Sequence, residues 1–195
     1  MGDEPQNDIV IIGSGPVALF SVFQLGLFGF KCHLIESCDM PGGQCTALYA
    51  DKPIYDVPGF PEIMGEELVE RLLRQIEPYN PVFHFSKIAD SISVDEYGVT
   101  ISTCDGEKFN ARVAVIASGL GALTGGQVIR PDPLAKLSLL KTGNMLAVSS
   151  ETFRTSSPKV YAIGDACHYP GKLKLILSGF HEATLMTQAI RRELA

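Results

Sequence analysis

Gly13-Ser14-Gly15-Pro16-Val17-Ala18 stands between a short apolar run, Asp8 to Ile12, and a largely apolar segment that reaches Phe30. Small residues at this spacing suit phosphate binding. Gly13 permits a tight turn, Gly15 lets the backbone approach a pyrophosphate, and Ala18 takes the third small position, where helix and strand pack closely. The first amides of the following helix then point at the anion, and the helix dipole favours its charge. Glu36 lies 23 positions after Gly13, at the end of a second apolar run, Lys31 to Glu36. A carboxylate there accepts hydrogen bonds from a ribose diol and disfavours a 2′-phosphate. Strand, glycine turn, helix, strand and terminal acid all fall within the first 36 residues. Together they predict a βαβ unit that binds a dinucleotide, and this pattern alone does not separate NAD from FAD.

The remaining elements must hold that unit. Asp39 to Pro61 carries Pro41, Gly42, Gly43, Pro53, Pro58, Gly59 and Pro61, a long irregular stretch suited to wrapping an extended ligand. Leu68, Leu72, Leu73 and Ile76 recur at helical spacing over Gly65 to Glu77, with Glu66 and Glu67 in the favourable first turn. Ile88 to Val94 and Val99 to Thr103 alternate around Glu96-Tyr97-Gly98, and Asp105-Gly106 makes a further turn before Phe109, as antiparallel strands do. Arg112 to Ala117 reads as a buried strand entering Ser118-Gly119, a second close approach of backbone to ligand. Leu120 to Pro133 is a glycine- and proline-rich connector rather than a second fingerprint, because Gly125-Gly126 and Pro131 leave no room for a phosphate-binding helix. A hairpin over Leu139 to Val148, a strand over Val160 to Ile163 ending at Gly164-Asp165, and a helical pattern over Leu173 to Leu194 complete the chain as given.

Composition bounds the class. The 195 residues are 46% hydrophobic and 19% charged, with 19 Gly and 12 Pro, a profile of one ordinary globular domain. Val17 to Phe30 is too short and too interrupted to cross a membrane, and the acidic start Met1 to Asp8 does not resemble a secretory signal. The expected location is cytoplasmic. Residues 1 to 98 hold 15 acids and 5 bases, and the rest hold 7 acids and 11 bases, within a net charge of −6. Non-specific nucleic-acid binding is disfavoured. The bases of the second half are scattered, although Lys172 and Lys174 leave room for an acidic partner. Cys32, Cys38, Cys45, Cys104 and Cys167 include no pair two residues apart, which excludes the commonest zinc and dithiol motifs and predicts reduced, packed thiols. His168 and His181 read as surface or packing residues, and no metal site is expected.

Five pieces, in order, resemble a known family. They are the glycine turn with Glu36; Gly42-Gly43-Gln44; Ile54 to Pro61; Ala117-Ser118-Gly119; and Tyr161 to Asp165 with Gly179-Phe180-His181-Glu182-Ala183. Together they look like the FAD domain of thioredoxin-reductase-like, or type II, ferredoxin–NAD(P)+ reductases, and Ala47-Leu48-Tyr49 and Pro170-Gly171-Lys172 favour that branch. The likeness covers roughly 7–119 and 138–192, joined by a connector over 120–137. It implies one α/β, Rossmann-like FAD-binding domain of three ββα layers: a parallel sheet, helices on one face and an antiparallel meander on the other. It further implies that Gly13, Ser14, Gly15, Pro16 and Ala18 serve the pyrophosphate turn, that Glu36 holds the adenosine ribose, that Ser37 also contacts the cofactor, and that the Ala89 backbone reaches adenine. Gln44 and Tyr49 would contact the flavin half, with Tyr49 stacking on the ring and Leu123 near it, and Gly43, Asp56, Ala117, Ser118 and Gly119 would be further cofactor contacts. Asp165 would hydrogen-bond the ribityl chain, the helix beginning near Leu173 would offer amides to the pyrimidine edge, and Gly164, Lys174 and Leu175 would be further cofactor contacts.

The departures from the family are as informative. Members carry a second nucleotide-binding domain for NADPH, on the order of 120 residues, where this chain has only the connector, and the dithiol of the thioredoxin reductases is absent. A natural single-domain flavoprotein and an internal deletion would both give this sequence. The expected function is therefore non-covalent FAD binding with impaired or absent NADPH use. Two alternatives stand beside it: an electron-transfer flavoprotein fed by ferredoxin or small reductants, and a non-catalytic FAD-containing module that self-associates, as a homo-oligomer, through the uncovered face.

Overall fold

The computed structural model describes residues 7–48, 50–119, 123–124, 127–128 and 138–195. Its spine is a parallel sheet. β1 (Asn7–Ile12) pairs with β2 (Cys32–Ile35) on one side and with β8 (Lys108–Ile116) on the other, with Ile11 opposite Leu34 and Val115. β5 (Val82–His84) extends the sheet beyond β2, and β13 (Val160–Ala162) pairs with β8. Ile9 to Ile12 and Val113 to Ile116 are buried without interruption. Continuous apolar runs of this kind mark strands covered on both faces, as parallel strands are.

β8 does two jobs. Its first residues pair antiparallel with β7 (Val99–Thr103), Val99 lying opposite Ala111, and β7 pairs with β6 (Ala89–Val94) to form a meander. Its last residues pair in parallel with β1, and Ala114 to Ile116 also pair with β13. The separate strands read around Phe109 and over Arg112 to Ala117 are thus one, and the meander continues from the parallel sheet through it.

Three helices longer than one turn pack together among the described residues. α1 (Pro16–Gly26) touches both α3 (Gly65–Ile76) and α4 (Ile176–Leu194). A β-carbon on Gly179 would sit 2.3 Å from a Val17 methyl, so glycine there lets α4 cross α1 closely. Beside it the Phe20 and Phe180 rings lie 4.5 Å apart. α3 buries Leu68, Val69, Leu72 and Ile76 and carries the Glu67–Arg71 and Glu70–Arg74 pairs on its wet face.

Some boundaries move. α1 ends at Gly26 rather than near Phe30, because Gly29 adopts φ +82° and the Phe30 amide folds back to the Leu25 carbonyl. α4 begins at Ile176 rather than Leu173, since the segment after Gly171 stays irregular. The irregular stretch 39–61 contains the single turn α2 (Gln44–Ala47) and the strand β3 (Pro53–Ile54), which pairs with β4 (Ile63–Met64). β5 has no counterpart in the sequence reading. Of the connector, β9 (Leu123–Thr124) and β10 (Gln127–Val128) pair antiparallel, and the rest lies outside the described residues. β11 (Lys141–Thr142) and β12 (Met145–Ala147) form the expected hairpin, and β12 also pairs with β14 (Cys167–His168). The thiols are free, but Cys104 is exposed, so it is not packed as expected.

Candidate functional site

A cleft of about 170 Å³ opens at the carboxyl ends of β1 and β8, where open α/β sheets bind ligands. The β1–α1 turn forms its floor. Gly13 has φ +106°, and a β-carbon there would lie 2.6 Å from the Ala117 carbonyl oxygen, so any side chain would push β8 away. Gly15 caps α1 with open space where its side chain would be, and Pro16 follows at the first helical position. No acid occupies the first turn of α1, which leaves its positive end facing the cleft. Ala18 is fully buried below the turn. A β-carbon on Gly43, at φ +57°, would lie in ordinary van der Waals contact with Gly15.

Glu36 is buried at the edge of this turn and fully engaged. The Ser14 amide and hydroxyl donate to its Oε2 at 3.0 and 2.8 Å. The Ser37 hydroxyl and the Cys38 amide donate to Oε1 at 3.1 and 2.9 Å. Two backbone amides and two rotatable hydroxyls thus donate to the carboxylate's lone pairs. The two amide bonds belong to the fold, whereas the two hydroxyls can turn aside for others.

Gly164 and Asp165 border the other end. The Gly164 amide donates to Glu182 Oε2 at 2.7 Å, and Glu182 also accepts from the Tyr169 hydroxyl at 2.9 Å and from Lys172. Lys172 and Glu182 form an ion pair that is almost wholly buried. Burial, and then Glu182, push the adjoining Cys167 thiol up to about 12. The N-terminus of α4 enters here, and Lys174, Leu175 and Ile176 line the cleft. The Ile176 amide donates to Asp56 Oδ2 at 2.6 Å.

Of the residues assigned by resemblance, Gly13, Ser14, Gly15, Pro16, Glu36, Gly43, Gln44, Ala117, Ser118, Gly119, Gly164, Asp165, Lys174 and Leu175 line this one cleft. Ala18 supports it from beneath, Ser37 braces Glu36 and Asp56 caps α4. Ala89 is buried at the start of β6 and does not line the cleft, although the nearby Lys87 amide donates to the Glu36 carbonyl. Tyr49 and the Leu123 side chain lie outside the described residues. Val17, Cys45 and Ile176 line the cleft without having been singled out as ligand contacts. The signals existed: Val17 follows the glycine turn, and Ile176 supplies the first helical amide of α4. Burial, and then Asp56, raise the Cys45 thiol to about 11, which keeps it protonated near neutrality. No group of three metal-ligating side chains occurs among the described residues, and no described helix is long and apolar enough to cross a membrane. Leu173, Leu175 and Leu177 stand exposed around the mouth of α4.

Curated relatives share one name. The chain is 30% identical to a ferredoxin–NADP reductase of Mesorhizobium japonicum over 310 residues, covering 95% of this chain and 90% of that one. A reductase of the same name from Parvibaculum lavamentivorans is 31% identical with the same coverage. Ferredoxin–NADP reductase 1 of Christiangramia forsetii is 48% identical over 118 residues, 60% of this chain and 33% of that one. The first alignment runs over 310 residues against a chain of 195, so over a third of its positions face no residue here. Among solved structures, thioredoxin reductase from Lactococcus lactis superposes with TM-score 0.79 at 14% identity, covering 96% of this chain and 98% of that one. A ferredoxin-flavin thioredoxin reductase from Clostridium acetobutylicum gives 0.75 at 14%, with the same two coverages. These two likenesses establish a shared Rossmann-like fold. No protein-family model matches the chain.

Proposed function

Because the chain belongs to the ferredoxin–NADP reductase family, we propose that it binds one FAD non-covalently in the cleft between the N-termini of α1 and α4 and uses NADPH poorly. One observation carries the reading: a glycine turn open to solvent at Gly15, a buried ribose-type acid and a second helix N-terminus all face a single cleft. The residues fit the group. A β-carbon at Gly13 would crowd the turn, and Gly15 leaves the α1 amides open to a pyrophosphate. At Glu36, the hydroxyls of a ribose diol would replace those of Ser14 and Ser37, while the two amide bonds persist.

When bound, FAD supplies the redox chemistry, and the protein binds, orients and tunes it. Ala117-Ser118-Gly119 and Gln44 would position the flavin half, Gly164 and Asp165 its ribityl chain, and the α4 amides its pyrimidine edge. Glu182 holds the Gly164 turn in place from below, through the amide bond described above. The whole chain, 120–137 included, is one nucleotide-binding unit in this reading. The unmatched third of the aligned relative supports the absence of a second nucleotide site. Without one, nicotinamide is not held against the ring, and orientation of that kind is worth several kcal/mol of barrier. Ferredoxin, after which the relatives are named, is the electron partner this reading favours.

The purified protein should be yellow and should release FAD rather than FMN on denaturation. Anaerobic NADPH should bleach it slowly and without saturation, whereas reduced ferredoxin should bleach it at a rate that falls with ionic strength. Colourless protein that gives no heat with FAD in calorimetry refutes the cofactor, and fast, saturable bleaching by NADPH refutes the missing site.

A further inference from the structure

The N-terminus of α4 is already occupied by an acid of this chain. Leu175 takes the cap position and offers no side-chain acceptor, and the first turn of α4 holds no acidic residue. The cap comes instead from Asp56, 120 positions away, whose Oδ2 accepts the Ile176 amide at 2.6 Å. Asp56 follows β3 and Tyr55 in the irregular stretch, so the turns of that segment carry an acidic side chain to the mouth of the helix. Burial first, and then the same carboxylate, raise the thiol of Cys45, which lines the cleft. Asp56 is therefore felt inside the cleft from just outside its lining. Of the early α4 amides, Gly179 already donates to the Leu175 carbonyl. Those of Leu177 and Ser178 have no acceptor within the helix.

A helix N-terminus favours negative charge and a carboxylate opposes it. The ring of a flavin gains negative charge when reduced, at the edge that α4 would face. Resting on the FAD reading above, we propose that Asp56 is a tuning residue: its carboxylate offsets the α4 dipole and so lowers the reduction potential of the bound flavin. The oxidised ring is neutral and the pyrophosphate is assigned to the α1 turn, so the charge acts mainly on the reduced form.

Asp56→Asn separates charge from capping, because the amide oxygen can still accept the Ile176 N–H. The readouts are the potential of the bound flavin, from dye equilibration at fixed ionic strength, and the affinity for oxidised FAD, from calorimetry. The expected result is an Asp56→Asn protein that still binds oxidised FAD and whose affinity for the reduced form relative to the oxidised form rises about tenfold. That ratio is a potential raised by about 30 mV for a two-electron couple. Asp56→Glu, which keeps the charge, should stay closer to the parent than Asp56→Asn. An unchanged or lowered potential in Asp56→Asn overturns the proposal, and so does loss of FAD from Asp56→Asn alone, which would make Asp56 only a structural cap. If the parent itself fails to bind FAD, the cofactor reading falls and takes this one with it.

Discussion

Glu36 shows how one carboxylate can serve fold and ligand together. It ties the β1–α1 turn to the end of β2 through the Ser14 and Cys38 amides, and its two hydroxyl partners mark where ligand hydroxyls would bond. Glu36→Gln turns one acceptor oxygen into a donor that faces donors already present. Hydrogen bonds to a charged group are worth about 1.5–3 kcal/mol, so FAD affinity should fall roughly 10- to 100-fold. The free protein should also lose about 1–3 kcal/mol of stability, because a buried amide is left without an acceptor. Calorimetry with FAD and urea unfolding without it measure the two losses separately. An unchanged affinity would move the ribose elsewhere.

Between elements, the contact of β2 with β5 carries an ionisable pair. His33 Nδ1 and His84 Nε2 lie 3.0 Å apart with the rings stacked, and Phe109 packs edge-on against His84. Burial, and then His84, hold the His33 value below its ordinary 6.5. His84 is also held below 6.5, by burial first, with Glu107 pulling upward and Lys87 downward. The folded state therefore resists protonation more than the unfolded chain does. The pair's contribution is fully present above pH 6.5 and is lost as pH falls through the lowered native values. The urea midpoint should drop between pH 7 and 5, and His84→Phe should flatten that slope; a parent slope that His84→Phe leaves intact would assign it to other groups. This edge was not legible in the sequence. Val82-Phe83-His84 is too short to show a period, and only its register against β2 makes it a strand. β1 and the end of β8 were legible because strands covered on both faces need unbroken apolar runs. The glycine turn and Glu36 were legible because their chemistry is local to 24 residues. The Asp56 cap joins residues 120 positions apart, a relation that no local pattern encodes.

Across the molecule, stability and site share one buried anchor. Glu182, on α4, accepts from the Gly164 turn, from Tyr169 and from Lys172, and the ion pair lies almost entirely out of water. Removing one partner of a buried pair strands the other charge at a cost of about 3–5 kcal/mol. Total stabilities are only about 5–15 kcal/mol, so Glu182→Ala should lower the denaturation midpoint far more than any surface acid does. Glu182→Ala with Lys172→Met should recover part of the loss. A melting curve for Glu182→Ala that overlays the parent would show that Lys172 reaches water freely.

β8 leaves the sheet without a seam. The same nine-residue strand is zipped to β7 at its start and to β1 and β13 at its end, so the meander cannot peel away without loosening the strand that carries Ala117 to the glycine turn. Amide protons of Val113 to Ile116 should accordingly exchange with deuterium only through global opening, among the slowest in the chain. A tug on the β6–β7 hairpin would then be felt at the floor of the cleft.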